Sequence, residues 1–410
     1  MKIIHTSDWH LGARLREEDR GEEHAAFLDW LAALMADERP DALVVAGDVF
    51  DVKAPSPQAQ SLYYGFLARV AKDRLCRKVV VTAGNHDNWK LLAAPSRLLD
   101  ELGVAVVSAA DEDVSGEVVV VRDDGGRPLL AVAAVPFMYE ADLANFGAAE
   151  TGEDATREAK VAAGWRRHCE AAISAARAAA PGVPLVATGH ATLLSAQVSD
   201  ADSERCRRIG GMEAYDPAPL AAADYVALGH LHIPQRVKGW EDRMFYSGSP
   251  LRMSFDEAKG TKSVNVVTFD SPAGGPRVEV REVPETVPIL TVSGTPDHAK
   301  SQLAELVAAS RTEKRFVRVQ LRDFEGEAKG HWAELRAIVA DTATLVLEEN
   351  DVRPVPRDAA GLRAFADRGI RQLAPREVAE QKLRGSVRRF GEEQIVELMG
   401  MFDEVAGGLR

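Results

Sequence analysis

The stretch MKIIHTSDWHLG, residues 1–12, begins as a short run of aliphatic and β-branched residues and ends in polar ones. The same pattern returns in ALVVAGDVFD at residues 42–51 and in KVVVTAGNHD at residues 78–87. Between the first two runs, residues 22–37 carry apolar side chains at helical spacing. Apolar strands that alternate with helices predict an α/β fold, with a central sheet covered on both faces.

The composition is that of a folded protein with two or three domains. The 410 residues are 46% apolar and 28% charged. Lys and Arg number 50 against 63 Asp and Glu, so the net charge of −13 argues against a broadly basic nucleic-acid surface, although not against a local one. Three cysteines without a Cys-x-x-Cys pair argue against a disulfide framework and favour a reducing cytosol. We expect neither a secretory leader nor a membrane span.

The pattern changes after Pro284. Strand and helix patterns alternate through about residue 350, which predicts a second, smaller α/β module. The stretch DVRPVPRDAAG at residues 351–361 contains two prolines and is typical of a linker. The final stretch carries apolar residues at three- and four-residue steps, as in an amphipathic helix. The predicted boundaries are therefore 1–283 for the main domain, 284–352 for the small domain, 353–375 for the linker and 376–410 for the helical segment.

Five short motifs lie at the ends of predicted strands. In chain order they are D-x-H, G-D-x-x-D, G-N-H-D, G-H and G-H-x-H. Each alone is weak evidence, because a strand-end Asp is commonly a cap or turn residue and a lone His is commonly structural. Together they point to one site, since the carboxyl ends of parallel strands meet at one edge of a sheet. The candidate metal ligands are Asp8, His10, Asp48, Asn85, His190, His230 and His232.

The chemistry of these ligands indicates which ions they hold. Carboxylate, imidazole and amide oxygen without thiolate suit Mn²⁺, Fe or Mg²⁺ better than a structural Zn²⁺. Seven ligands are too many for one ion that keeps an open position, so we expect two divalent ions bridged by one carboxylate. Such a pair favours hydrolysis of a phosphate ester.

The same motifs carry a family resemblance. They resemble those of the calcineurin-like metallophosphoesterases, and more closely the SbcD family, the nuclease subunits of bacterial SbcCD complexes. MKIIHTSDWHLG and YSGSPLRMSFDE, residues 246–257, are typical of that branch. The resemblance implies a layered metallophosphoesterase sandwich with central mixed sheets, a small α/β capping domain and C-terminal helices.

Roles for individual residues follow from the resemblance. It implies that His86 contacts the scissile phosphate and helps to stabilise or protonate the leaving oxygen, and that Asp87 orients the His86 imidazole. Asp51 is interpreted as a turn or supporting residue rather than a ligand. The implied ligands are Asp8, His10, Asp48 and His232 for one metal ion, and Asp48, Asn85, His190 and His230 for the other.

Substrate and partners are also implied by the resemblance. The expected activity is a Mn²⁺-dependent DNA nuclease, a double-strand exonuclease and a single-strand or hairpin endonuclease, in DNA repair, recombination and replication. The expected partners are a second copy, bound through helices within residues 55–100, and the coiled-coil ATPase SbcC, bound by the C-terminal helices. A nucleoid-associated cytoplasmic location follows. The C-terminal apolar stripe consists of Val387, Phe390, Ile395, Leu398, Met399, Phe402 and Val405.

Several alternatives stay open on the residues alone. The same dimetal scaffold fits a small-molecule or protein phosphoesterase, and a scaffold that tethers DNA ends is a third hypothesis. An alternative for the C-terminal stripe is packing on its own domain. Four cations follow the metal motifs and could contact phosphates or be ordinary solvated charges: Arg14, Arg16, Lys53 and Lys90.

Overall fold

The computed structural model describes most of the chain up to residue 351. The described residues are 1–152, 154–196, 214–258, 260–270, 275–309, 314–322, 324, 328–340, 345–351, 376, 395–396 and 398–402. The predicted linker at 353–375 and most of the predicted helical segment at 376–410 lie outside them. So do three members of the predicted stripe: Val387, Phe390 and Val405.

Strands and helices alternate along the described residues. The strands are β1 Lys2–Thr6, β2 Arg14–Leu15, β3 Glu18–Asp19, β4 Ala42–Ala46, β5 Lys78–Thr82, β6 Val104–Val107, β7 Val118–Arg122, β8 Pro128–Ala133, β9 Leu185–His190, β10 Tyr225–Gly229, β11 Gln235–Arg236, β12 Met244–Tyr246, β13 Ser263–Thr268, β14 Arg277–Glu282, β15 Ile289–Gly294, β16 Arg315–Leu321 and β17 Leu345–Asp351. The helices are α1 Gly21–Glu38, α2 Pro57–Asp73, α3 Trp89–Ala93, α4 Ser96–Glu101, α5 Glu140–Thr151, α6 Arg157–Ala179, α7 Pro296–Ala309 and α8 Ala328–Val339.

Two six-stranded mixed sheets form the main unit. The first has the order β14-β13-β1-β4-β5-β6, with β1, β4, β5 and β6 parallel and β13 antiparallel to β1. In its centre, Ile4 pairs with Leu43 on one side and with Val266 on the other. The second has the order β11-β12-β10-β9-β8-β7, with β8, β9, β10 and β12 parallel. Because several neighbouring strands are parallel, their carboxyl ends share one edge in each sheet.

The two sheets face each other across an apolar layer and carry helices on their outer faces. The layer between the sheets includes Ile3, Val44 and Val80 from the first sheet and Val132, Val186 and Ala227 from the second. Helices α1 and α2 pack on the first sheet, and α6 packs on the second. The order of layers is therefore helix, sheet, sheet, helix. The predicted sandwich with central mixed sheets is confirmed, whereas the apolar pattern alone had suggested a single central sheet.

Local signals explain where the long helices begin and which face they bury. The Ser56 hydroxyl accepts a hydrogen bond from the Ala59 N–H at the start of α2, and Thr156 does the same for α6. In α1, Phe27 and Leu31 are buried, as the helical spacing predicted.

The chain divides into two compact units, the first of which is centred on Met1–Thr291. The second contains Val292–Ala309 and Val319–Thr342. The predicted alternation of strands and helices after Pro284 is present as β15, α7, β16, α8 and β17, and these three strands form one sheet in the order β15-β16-β17. The exact domain boundaries at 283, 352 and 375 stay predictions. Among the described residues, the structure contains no helix with the length and apolar character that crossing a bilayer requires.

Candidate metal centre

The seven candidate ligands follow strands of both sheets. Asp8 and His10 follow β1, Asp48 follows β4, and Asn85 follows β5 in the first sheet. In the second sheet His190 ends β9, and two further histidines, His230 and His232, follow β10. The structure brings all of them to one edge of the sandwich, because these strands end there.

Four of these residues have a strained backbone. Asp8, His10, Asp48 and His230 have φ values of 53°, 46°, 51° and 93°, in the left-handed region that non-glycine residues rarely adopt. Two hydrogen bonds hold the first two loops together: the Asp8 N–H donates to the Gly47 carbonyl at 3.0 Å, and the His10 N–H donates to the Asp48 carbonyl at 3.0 Å. Strain kept by surrounding contacts is typical of functional sites.

Two glycines allow the loops to come this close. A Cβ atom on Gly84 would collide with the Asp48 backbone and carboxylate, and one on Gly229 would collide with the Ala46 carbonyl. Gly84 and Gly229 are therefore needed because the neighbouring backbone leaves no room for a side chain.

The first cluster consists of Asp8, His10, Asp48 and His232. The His10 and His232 Nε2 atoms lie 3.1 Å apart, and the His10 Nε2 lies 3.6 Å from the Asp48 Oδ2. Asp8, His10 and His232 each offer a ligand atom within 4.8 Å of the others. All four side chains are buried.

The second cluster consists of Asp48, Asn85, His190 and His230. The His190 Nε2 lies 3.0 Å from the Asn85 Oδ1 and 3.3 Å from the Asp48 Oδ2. The His230 Nδ1 lies 3.0 Å from the same Asn85 oxygen. Asp48 thus lies between the two clusters, where a bridging carboxylate is expected.

Burial keeps two of the imidazoles neutral. It lowers the pKa of His10 to about 4, although the carboxylates of Asp51 and Asp48 oppose the shift. It also lowers the pKa of His230 to about 3. Neutral rings can offer a nitrogen lone pair to a cation near pH 7.

Burial and neighbouring charges shift the pKa values of Asp48, His190 and Asp8 in opposite directions. Burial would raise the pKa of Asp48, yet the nearby imidazoles of His190, His10 and His86 hold it well below its usual range. Burial also opposes a charge on His190, but Asp48 outweighs it and raises the His190 pKa to about 9. Burial raises the pKa of Asp8 to about 6 despite the neighbouring imidazoles. Buried carboxylates of this kind are stabilised by a cation.

The position of the ring proton in His10 and His232 is also suited to binding a cation. The His10 Nδ1 lies 3.3 Å from the Asp51 carboxylate, and the His232 Nδ1 lies 3.5 Å from the Glu257 carboxylate. A carboxylate beside Nδ1 favours a proton there, which leaves a lone pair on each Nε2. Two such lone pairs 3.1 Å apart repel each other unless a positive charge lies between them. The residues present therefore fit a bound divalent metal ion.

His86 lies beside the clusters and contacts both. Its backbone N–H donates to the Asp48 Oδ1 at 2.8 Å, and its ring lies 4.9 Å from the His10 ring, centroid to centroid. The ring itself is held by the Asp51 carbonyl, 2.7 Å from the His86 Nδ1. The Asp51 carboxylate lies beside the His10 ring and its carbonyl beside the His86 ring, and these three residues form a further group that could hold a metal ion. The interpretation of Asp51 as a turn or supporting residue stays a prediction.

Asp87 does not contact the His86 ring as expected. Its carboxylate accepts backbone hydrogen bonds from Val49 at 3.1 Å, Phe50 at 2.9 Å and Gly84 at 2.9 Å. The partner of the His86 ring is instead the Asp51 carbonyl. The expected orienting contact is thus corrected: Asp87 ties its own loop to the loop that carries Asp48, because the N–H groups of Val49 and Phe50 there and the Gly84 N–H of its own loop need an acceptor.

Sequence reasoning missed two further side chains, Glu257 and Lys262. Glu257 lies beside His232, and the Lys262 Nζ donates to Glu257 at 2.5 Å. Glu257 belongs to the quoted stretch YSGSPLRMSFDE, but nothing in its spacing indicated a contact with a histidine 25 positions earlier in the chain. Only the fold shows that contact.

The cations near the motifs have local partners. The Lys53 Nζ donates to the Tyr139 hydroxyl at 3.2 Å and lies over the Tyr139 ring, and the Lys90 Nζ lies 5.1 Å from the centre of the Trp89 ring. Arg14 donates to the Glu17 carbonyl. Lys53, Lys90 and Arg14 all remain exposed, so they stay candidates for phosphate contacts.

The fold and this cluster of ligands define a phosphoesterase of the calcineurin-like class, whose family model matches residues 1–234. The SbcD subunit of nuclease SbcCD from Bacillus subtilis (strain 168) is 32% identical over 416 residues, which cover 100% of this chain and 98% of that protein. The SbcD subunit from Rhodobacter capsulatus is 36% identical over 75% of each chain, and the one from Escherichia coli (strain K12) is 35% identical over 74% of each. The chain therefore belongs to the SbcD family of SbcCD nuclease subunits, and the predicted family is confirmed.

Proposed function

We propose that this chain is a DNA nuclease that uses two divalent cations, with Mn²⁺ as the preferred ion and Mg²⁺ or Fe as alternatives. The observation that carries the proposal is the pair of ligand clusters that share Asp48, with His86 beside them. Asp8, His10, Asp48 and His232 would hold one ion, and Asp48, Asn85, His190 and His230 the other. When bound, such a pair activates a water molecule and neutralises the phosphoryl oxygens.

The roles of the chain's own residues follow from their contacts. The His86 ring is held by the Asp51 carbonyl and is only partly buried, so it can reach a phosphate that enters the site. We assign to His86 the stabilisation or protonation of the leaving oxygen. Asp87 would serve this step indirectly, by fixing the loop of Asp48 through two backbone hydrogen bonds and its own loop through a third.

DNA is the proposed substrate, with exonuclease action on duplex ends and endonuclease action on single strands or hairpins. This proposal is supported by the similarity of the chain to proteins that are named as subunits of the nuclease SbcCD. Exposed cations and aromatic rings near the metal motifs, Lys53 with Tyr139 and Lys90 with Trp89, are of the kind that bind phosphates and bases. On the basis of the same similarity, we place the chain in an ATP-regulated complex for DNA repair, recombination and replication in the cytoplasm at the nucleoid.

Two protein partners belong to this proposal. A second copy would bind through helices within residues 55–100, and the exposed apolar side chain of Leu98 supports this surface. An SbcC-type coiled-coil ATPase would bind the C-terminal helices, where Val396 and Met401 are exposed. Two members of the predicted stripe, Ile395 and Met399, are buried within this single chain, which favours packing of part of the stripe on its own chain.

The test is cleavage of end-labelled linear duplex and hairpin DNA by the full chain with Mn²⁺, with and without the ATPase partner and ATP. Asp48→Ala is the control, because Asp48 belongs to both clusters. Cleavage that requires Mn²⁺ and is lost in this variant supports the proposal. Turnover of a small phosphate ester with no cleavage of DNA under any condition would replace it with the small-molecule phosphoesterase.

A further inference from the structure

The stretch YSGSPLRMSFDE, residues 246–257, has no part in the proposed chemistry, yet it lies against the metal centre. It begins at the end of β12, and the Tyr246 hydroxyl donates to the Ala191 carbonyl at 2.7 Å, one residue after His190. We call residues 246–258 and 260–262 the frame segment. Four of its polar side chains are buried, those of Ser247, Ser249, Glu257 and Lys262.

Glu257 is the central residue of the frame segment. It is 3% exposed, and its Oε2 accepts hydrogen bonds from the Lys262 Nζ at 2.5 Å and from the Met253 N–H at 3.1 Å. These two donors fix the carboxylate through one oxygen. The other oxygen, Oε1, lies 3.5 Å from the His232 Nδ1.

Lys262 ties the same carboxylate to the backbone of His232. Its buried Nζ donates to the His232 carbonyl at 2.8 Å and to the Ser249 Oγ at 2.9 Å, in addition to Glu257. An ammonium group has three N–H donors, so these three partners satisfy all of them. The ring of His232 thus lies beside one buried ion pair, and the His232 carbonyl accepts a hydrogen bond from it.

A second part of the frame segment reaches Asp8. The Ser247 Oγ lies 2.8 Å from the Ser7 Oγ, and the Ser7 Oγ donates to the Asp8 Oδ2 at 2.5 Å. The frame segment therefore contacts two of the four residues in the first cluster, His232 directly and Asp8 through Ser7.

We propose that Glu257, anchored by Lys262, is a positioning residue that fixes the His232 imidazole for binding a divalent cation. A carboxylate that accepts the proton of Nδ1 sets the ring orientation and directs the Nε2 lone pair outward, and it strengthens the ring as a ligand. In this structure the Nε2 so directed is the atom 3.1 Å from the His10 Nε2. The inference rests on the proposed function only in that a cation binds at the first cluster.

The test is Mn²⁺ binding to the full chain and to Glu257→Gln, by calorimetric titration well below the unfolding temperature. Gln has nearly the same shape but no charge. We expect one of two binding steps to weaken about tenfold to a hundredfold, as is typical when the carboxylate behind a ligating histidine is lost. The other step should keep its affinity, because Asn85 and His190 are held by contacts within the second cluster, whereas Glu257 contacts Lys262, Met253 and His232.

Glu117→Gln is the matched control. Glu117 is also a buried carboxylate beside an imidazole, 2.9 Å from the His168 Nε2, but this pair has no candidate ligand. The Glu117→Gln variant should be less stable than the wild type, but its affinity for Mn²⁺ in each of the two binding steps should be unchanged. Glu257→Asp is a second variant, which keeps a charge for Lys262 and shortens the reach to His232, so the same binding step should weaken again.

The outcomes separate this inference from the proposed function. Equal Mn²⁺ affinities in wild type, Glu257→Gln and Glu257→Asp would overturn the positioning role, even if the variants were less stable. Absence of Mn²⁺ binding to the wild type would overturn the metal centre itself. A selective loss of one binding step in both Glu257 variants, with Glu117→Gln unchanged, would support the role of Glu257.

Discussion

His86 is the one histidine of the site that we assign to chemistry rather than to metal binding. Its ring is held by the Asp51 carbonyl, whereas the ligand candidates converge on each other. We expect His86→Ser to slow DNA cleavage by about 10²- to 10⁴-fold, the usual contribution of a positioned acid or base. The Mn²⁺ stoichiometry should remain that of the wild type. Initial cleavage rates and calorimetric titration test this, and cleavage at the wild-type rate would exclude the assigned role.

His5, in the middle of β1, links stability to pH. Burial lowers its pKa to about 3, although the Leu228 carbonyl opposes the shift. In the unfolded chain a histidine has a pKa of about 6.5, so between these values the unfolded state binds one more proton than the folded state. The free energy of unfolding is therefore fully retained above about pH 6.5. It falls as the pH decreases, by up to about 1.4 kcal/mol per pH unit from His5.

The variant His5→Gln isolates this contribution. Urea unfolding of the metal-free chain should show a pH dependence between pH 4 and pH 6 that is weaker by about one proton in the variant. The other buried histidines titrate in both proteins and cancel in the comparison. An unchanged pH dependence would mean that His5 is not neutral and buried in the folded chain.

Helices α5 and α6 cross with their backbones in contact. A Cβ atom on Gly164 would collide with the Leu143 carbonyl, and one on Gly147 would collide with the Lys160 carbonyl. We expect Gly164→Ala to destabilise the chain by about 1–3 kcal/mol, the usual cost of excess volume in a packed interior. Thermal or urea unfolding measures it.

Gly65 provides a control of opposite sign. It lies on an exposed face of α2, and a Cβ atom there would meet no atom within 4 Å. Gly65→Ala should therefore stabilise the chain by about 0.5–1 kcal/mol, since alanine is the better helix former. If both variants shifted stability in the same direction, close helix contact would not explain the effect at Gly164.

The elements show what the sequence could and could not reveal. The apolar strands with polar ends predicted the positions of Asp8, Asp48 and Asn85, because a strand end is a local feature. The strand pattern did not reveal that two sheets pack face to face. A buried strand has the same run of apolar residues whether a helix or a second sheet covers it. The contact of Glu257 with His232 was missed for a similar reason, because it depends on long-range packing rather than on a spacing rule. The sequence interpretation placed Asp87 against the His86 ring. In the structure its carboxylate instead accepts hydrogen bonds from the backbone N–H groups of Val49 and Phe50 in another loop.

At the scale of the whole molecule, the net charge of −13 opposes DNA, so binding depends on local cations. Lys53 is exposed and follows the motif that contains Asp48, and its ammonium lies against Tyr139 at the edge of the site. Lys72 is also exposed, but it lies in the last turn of α2, which leads back to the start of β5 at the opposite edge of the sheet. A comparison of variants at Lys53 and Lys72 therefore distinguishes a direct contact of one lysine with DNA from an effect of the net charge of the whole chain.

We expect the DNA affinity of the isolated chain to fall as salt rises, because each phosphate contact releases counterions. In a plot of log affinity against log salt, Lys53→Ala should reduce the slope by about 1, the amount for one lost phosphate contact. Lys72→Ala should leave the slope unchanged, although both variants lower the net charge equally. Fluorescence anisotropy with labelled duplex DNA, in Ca²⁺ to prevent cleavage, measures both slopes. Equal slopes for the two variants would show that the net charge of the chain governs binding and that Lys53 has no direct contact with DNA.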